Sequence, residues 1–110
     1  MSELNKRLEF FKKIKETQVK LYRPGIESQF SPNEVGKFQE YRRKWRHYVE
    51  AVQEDIATVL VERLKQNETA FETGIEAINQ EIQQINDTVS FLNLFERTIG
   101  TLGRIIKLAI

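Results

Sequence analysis

The chain contains no cysteine, which removes disulfides, thiolate metal sites and cysteine nucleophiles together. It contains one histidine, His47, so a histidine triad or histidine metal site has a single place to form. The residues at helical spacing from it are Arg43, Lys44, Glu50 and Ala51, and neither HExxH nor ExxH occurs. His47 therefore reads as a solvated helix histidine. Two prolines and five glycines leave little material for repeated tight turns, which argues against an all-β fold. Gly74, Gly100 and Gly103 match neither the Walker nor the dinucleotide phosphate loop. No uncharged apolar run approaches the roughly 20 residues of a membrane span, and the first seven residues lack the apolar core of a signal peptide. These absences point away from an enzyme, a bound cofactor or a metal, and toward a cytoplasmic location.

What is present is charge and helical periodicity. The 110 residues are 40% apolar and 30% charged, a balance that suits a single domain of long, well-exposed helices. The net charge of +1 hides a segregation. Residues 1–48 carry twelve basic and six acidic side chains, residues 49–96 carry two and ten, and residues 97–110 add three cations. Opposite halves of this kind pair with each other, within one chain or between copies, before they serve a foreign partner.

Four segments follow. Residues 1–22 read as a short basic helix capped by Ser2, with Leu4, Leu8, Phe11 and Ile14 as its apolar stripe, continued by Val19 and Leu21. Residues 23–33 form a linker: Pro24-Gly25 stops the first helix, and Ser31-Pro32-Asn33-Glu34 is a start signal with Ser at N-cap and Glu at N3. Ile26 and Phe30 are placed to pin the linker to the core. Residues 34–66 read as a long helix, with Phe38, Arg42, Trp45, Val49, Val52, Ile56, Val59 and Arg63 stepping by four and three along one seam. Residues 70–110 read as a second, along Phe71, Ile75, Ile78, Ile82, Ile85, Val89 and Leu92. The two seams differ in phase, and Thr69 and Glu72 resemble another capping box, so a turn at residues 66–69 is expected.

The expected fold is all-α: a short amino-terminal helix and a long, coiled-coil-like antiparallel hairpin. Phe91, Leu94, Ile105 and Leu108 remain as extra apolar surface, and self-association, a dimer first, would complete a bundle and cover them. Arg42 and Arg63 fall on the first seam and are expected to pair with acids of the facing helix.

Two surfaces are candidates for function. Phe95, Ile99, Leu102, Ile106 and Ile110 form one carboxy-terminal face that would meet a partner or, with Arg97, Arg104 and Lys107 beside it, an anionic membrane. Arg43, Lys44 and Arg46, within the stretch YRRKWRHY, would contact an anionic partner such as nucleic acid. Helical rotation of about 100° per residue turns Tyr41, Trp45 and Tyr48 to the apolar seam with Phe38, Val49 and Val52. The rings therefore read as core and the cations as surface, and nucleic acid is the lesser reading. The favoured expectation is a non-enzymatic scaffold or adaptor working through helix packing with a protein partner. Binding to an anionic surface is the alternative.

Overall fold

The computed structural model describes residues 3–53, 57–59 and 61–108, with side-chain surroundings for residues 6–53 and 62–106. The fold is all-α, with one short ribbon. Its elements are α1 (Glu3–Leu21), α2 (Pro32–Gln53), β1 (Ala57–Val59), α3 (Val61–Gln66), α4 (Glu68–Glu81), α5 (Thr88–Ile105) and β2 (Ile106–Leu108). Ser2, Ile56 and Ile110 lie outside the described residues, as do the side chains of Leu4, Val59 and Leu108.

Helices α1 and α2 form one antiparallel hairpin. The Trp45 indole N–H donates to the Ile14 carbonyl at 2.8 Å, and the Arg42 guanidinium donates to the Leu21 carbonyl at 3.2 Å. The connection behaves as its residues dictate. Gly25 takes φ 83°, a left-handed conformation that a side chain would resist, and Ile26 and Phe30 are buried. Glu34 accepts from the Ser31 amide at 3.0 Å, the acidic half of the expected capping box. Its other carboxylate oxygen accepts from the Thr88 hydroxyl at 2.7 Å and so ties the start of α2 to the start of α5.

Helices α4 and α5 form the second hairpin, reversed through residues 82–87, with Gly74 lying against Thr98. The hairpins stack with like helices parallel. Along α2 and α5 the partners ascend together, Glu34 with Thr88 and Tyr41 with Glu96. Along α1 and α4, the Phe10 and Phe71 ring centroids are 4.9 Å apart, Lys13 pairs with Glu72 at 2.6 Å and Lys20 donates to Asn79 at 2.8 Å. Four helices thus enclose one core within a single chain. β1 and β2 pair antiparallel at one end, Ala57 opposite Leu108 and Val59 opposite Ile106.

Several expectations change here. The helix expected over residues 34–66 ends at Gln53 and gives way to β1 and then α3. Val52, Ile56 and Val59 fit a heptad by spacing, but the run around them (Ile56, Thr58, Val59, Val61) is β-branched, which costs helix propensity and favours pairing. The helix expected over 70–110 is likewise divided. Asp87 caps α5, its carboxylate accepting from the Ser90 amide at 3.1 Å and from the Ser90 hydroxyl at 2.9 Å. The break at Asn67 lies inside the expected 66–69 turn, yet the antiparallel reversal comes one helix later. Thr69 is within α4 rather than capping it, and Glu72 turns to Lys13.

The first helix also shows a different face. Its buried line is Phe10, Ile14, Thr17 and Leu21, with Phe11 partly buried, while Leu8 and Val19 are exposed. Thr17 was hidden from a count of apolar letters. Its hydroxyl accepts from the Asn79 amide at 3.2 Å, which satisfies it inside the core.

Packing tolerance differs sharply between two glycines. A methyl group at Gly74 would sit 2.6 Å from the Thr98 Oγ1, itself held by donating to the Leu94 carbonyl. One at Gly100 meets nothing within 4 Å. Gly74→Ala is expected to destabilise by about 1–3 kcal/mol through overpacking, and Gly100→Ala to stabilise by roughly 0.5–1 kcal/mol; urea unfolding of both variants checks the opposed signs. The Ser31 amide and the Thr88 hydroxyl hold the Glu34 carboxyl below its ordinary value. A depressed folded-state value contributes stability above the unfolded value and loses it as pH falls through the folded one. Urea midpoints should therefore show Glu34→Gln weaker than wild type at neutral pH, with the difference closing as pH drops well below 4.5.

Candidate interaction surfaces

The expected seam is mostly core. Phe38, Trp45, Val49, Phe71, Ile75, Ile78, Ile82 and Leu92 are buried, and Val52 and Ile85 partly so. Val89 is 60% exposed, because α5 begins in a new phase after the Asp87 cap. The carboxy-terminal face is not a surface. Phe95, Leu102, Ile105 and Ile106 are buried and Ile99 is partly so. The described part of this stripe is therefore enclosed by the bundle itself. Phe91 and Ile105, two of the residues expected to drive self-association, are likewise fully enclosed. No described helix is long and apolar enough to cross a membrane.

The seam arginines are placed differently from each other. Arg42 pairs with Glu27 of the linker at 2.7 Å, not with the acidic helix, and its guanidinium carbon lies 4.2 Å from the Tyr22 ring centroid. It also caps the carbonyl end of α1, where a cation is favoured. Gln39 and Arg42 both donate to Glu27 and hold its carboxyl below the ordinary value. Arg63 is exposed on α3.

The YRRKWRHY stretch divides as rotation predicts. Tyr41 and Trp45 are buried and Tyr48 half-buried, whereas Arg43, Lys44, Arg46 and His47 are exposed. The cations line an open groove of about 660 Å3 with Tyr48, Ile99 and Gly100. Lys44 pairs with Glu40 at 3.7 Å and Arg46 with Glu50 at 3.6 Å, so two carboxylates dilute three cations. Opposite, Tyr41 donates to Glu96 at 3.0 Å, and its burial and that carboxylate raise its phenol.

A smaller cavity of about 230 Å3 lies between α1, α3 and α4, floored by Phe10, Leu64 and Phe71. Lys6, Lys13 and Lys65 at its rim are balanced by Glu9, Glu68 and Glu72. It falls below the roughly 300–1,000 Å3 of ordinary ligand pockets. Among the described residues, no group of three or more His, Asp or Glu side chains is arranged to hold a metal ion.

The surface that periodicity missed is the outer side of α1. Leu8 is 56% exposed, Val19 68% and Tyr22, just past the helix end, 37%. These are three of the four large hydrophobics left exposed among the described residues, the fourth being Val89. One exposed apolar side chain is ordinary, but two on one face of a helix with a third at its end are not. The sequence signal for it is a second stripe on α1, set on the side away from Phe10, Ile14 and Leu21.

No protein-family model, curated protein or solved structure matches the chain.

The groove pairs join exposed side chains at (i, i+4), an arrangement of small net stability. Glu40→Gln with Glu50→Gln is expected to change stability by less than about 0.5 kcal/mol, checked by thermal unfolding at two ionic strengths; a larger loss would make these pairs structural.

Proposed function

We propose that the protein is a non-enzymatic helical interaction module that presents the outer face of α1 to another protein. The alignment of Leu8, Val19 and Tyr22 carries this reading. Among the described residues, the other long apolar stripes close on the internal core, where Phe38, Trp45, Phe95 and Leu102 are fully enclosed. Leu8 and Val19, held in water on one helix face, add little to this fold and supply anchors for a helix-packing interface, with Tyr22 beside them under Arg42.

The bundle behind the face supports the role. α1 is fixed along α2 by the Trp45–Ile14 hydrogen bond and along α4 by Lys13–Glu72, so its outer side is displayed on a rigid element. The partly neutralised α2 groove is the weaker candidate, since a phosphate polymer needs net cation density.

The control is built into the molecule, because Val89 is the same residue type, comparably exposed, and stands alone. A photo-crosslinking side chain at Val19, introduced in the native cell, is expected to give a discrete heavier adduct, and one at Val89 to give none. Absence of an adduct at position 19, or equal adducts at both, would overturn the reading.

A further inference from the structure

The chemistry of the α1 face specifies its occupant. Positions 8, 12, 15, 19 and 22 succeed one another by four, three, four and three, the spacing of a seam for one further helix. The seam reads Leu8, Lys12, Lys15, Val19 and Tyr22. Lys12 and Lys15 are exposed, and neither is in an ion pair among the described residues. Lys15 places its ammonium 5.6 Å from the Phe11 ring centroid, beside the stripe. At the end of α1, Arg42 and Arg46 of α2 close on the Tyr22 ring, 4.2 and 5.8 Å from its centroid. Glu9 and Glu16 stand three and four residues from Lys12 on the α4 side of the stripe, so the cationic side is the one toward Lys15 and Tyr22.

We propose that this face docks an acidic amphipathic helix of another protein, its apolar side chains against Leu8, Val19 and Tyr22 and its carboxylates on Lys12 and Lys15. The proposal rests on the interaction reading above and adds the partner's chemistry. A seam lysine selects a partner with an acid at the facing position and disfavours others. A second copy laid face to face would set Lys12 and Lys15 against their own counterparts. It brings no other apolar stripe, since Val89 is the only further large hydrophobic exposed among the described residues. A membrane surface takes a broad apolar arc with its cations to the sides, whereas here two lysines stand inside a narrow stripe.

Three synthetic helical peptides of roughly 21 residues, three heptads with leucine at a and d, test this against the full chain by fluorescence anisotropy. They differ only at the flanking positions, which are Glu, Gln or Lys. The Glu peptide is expected to bind at least about tenfold more tightly than the Gln peptide, and the Lys peptide not to bind. Lys12→Glu with Lys15→Glu should reverse that order, and Leu8→Gln with Val19→Gln should abolish binding. Both double variants should keep the wild-type thermal midpoint, because all four side chains lie outside the core. Equal binding of the three peptides, or preference for Lys, would overturn the acidic partner while leaving the interaction module standing. Binding of none overturns both. Co-sedimentation with phosphatidylserine–phosphatidylcholine vesicles that the Glu peptide does not displace would also overturn the proposal, in favour of a membrane. A dimer in sedimentation equilibrium that Leu8→Gln with Val19→Gln dissolves would overturn it in favour of a second copy.

Discussion

Phe95 sits among the rings of Phe38, Tyr41, Trp45 and Phe91, with centroids 5.7 to 6.0 Å away, and the rest of the molecule is arranged around that cluster. Each ring removes a large apolar area from water, and tilted contacts at these separations add to that burial. The cluster joins the two hairpins, because three of its rings come from α2 and two from α5. It holds α2 and α5 parallel and in register, which lets Glu34 reach Thr88 at one end and Tyr41 reach Glu96 further along. Trp45 extends the same constraint to α1 through its indole N–H.

Enclosing the rings decides the surface. On α2, inward Phe38, Tyr41 and Trp45 require Arg43, Lys44, Arg46 and His47 to face water, where Glu40 and Glu50 partly neutralise them. On α5, inward Phe91, Phe95 and Leu102 enclose the described part of the carboxy-terminal stripe. Part of the charge segregation is answered internally as well, by Lys13 on Glu72 between α1 and α4. What remains turned outward, apolar and cationic together, is the far side of α1.

Among the described residues, no buried side-chain nitrogen or oxygen lacks a hydrogen-bond partner. The polar groups inside are threonines bonded locally or to Asn79, and an indole bonded to a helix carbonyl. Such a core holds its shape through packing, with its buried polar groups satisfied.

The sequence by itself determined the helical class, the Pro24-Gly25 stop, the Ser31–Glu34 start, the linker anchors Ile26 and Phe30, and the inward turn of Trp45. These are local: they depend on a proline's missing N–H, a glycine's φ, a cap, or the rotation of one helix. Only the tertiary structure decided what depends on a neighbour. A heptad spacing through Val52, Ile56 and Val59 gave no sign that the β-branched run would pair with residues 106–108. The isoleucine spacing runs on through residues 82–89, where the chain reverses and Asp87 caps a new helix. Thr17 joins Phe10, Ile14 and Leu21 on the buried face of α1, its hydroxyl accepting from Asn79 of α4. The choice of that face, made by α2 and α4 and not by α1 alone, leaves Leu8 and Val19 in water on the opposite side.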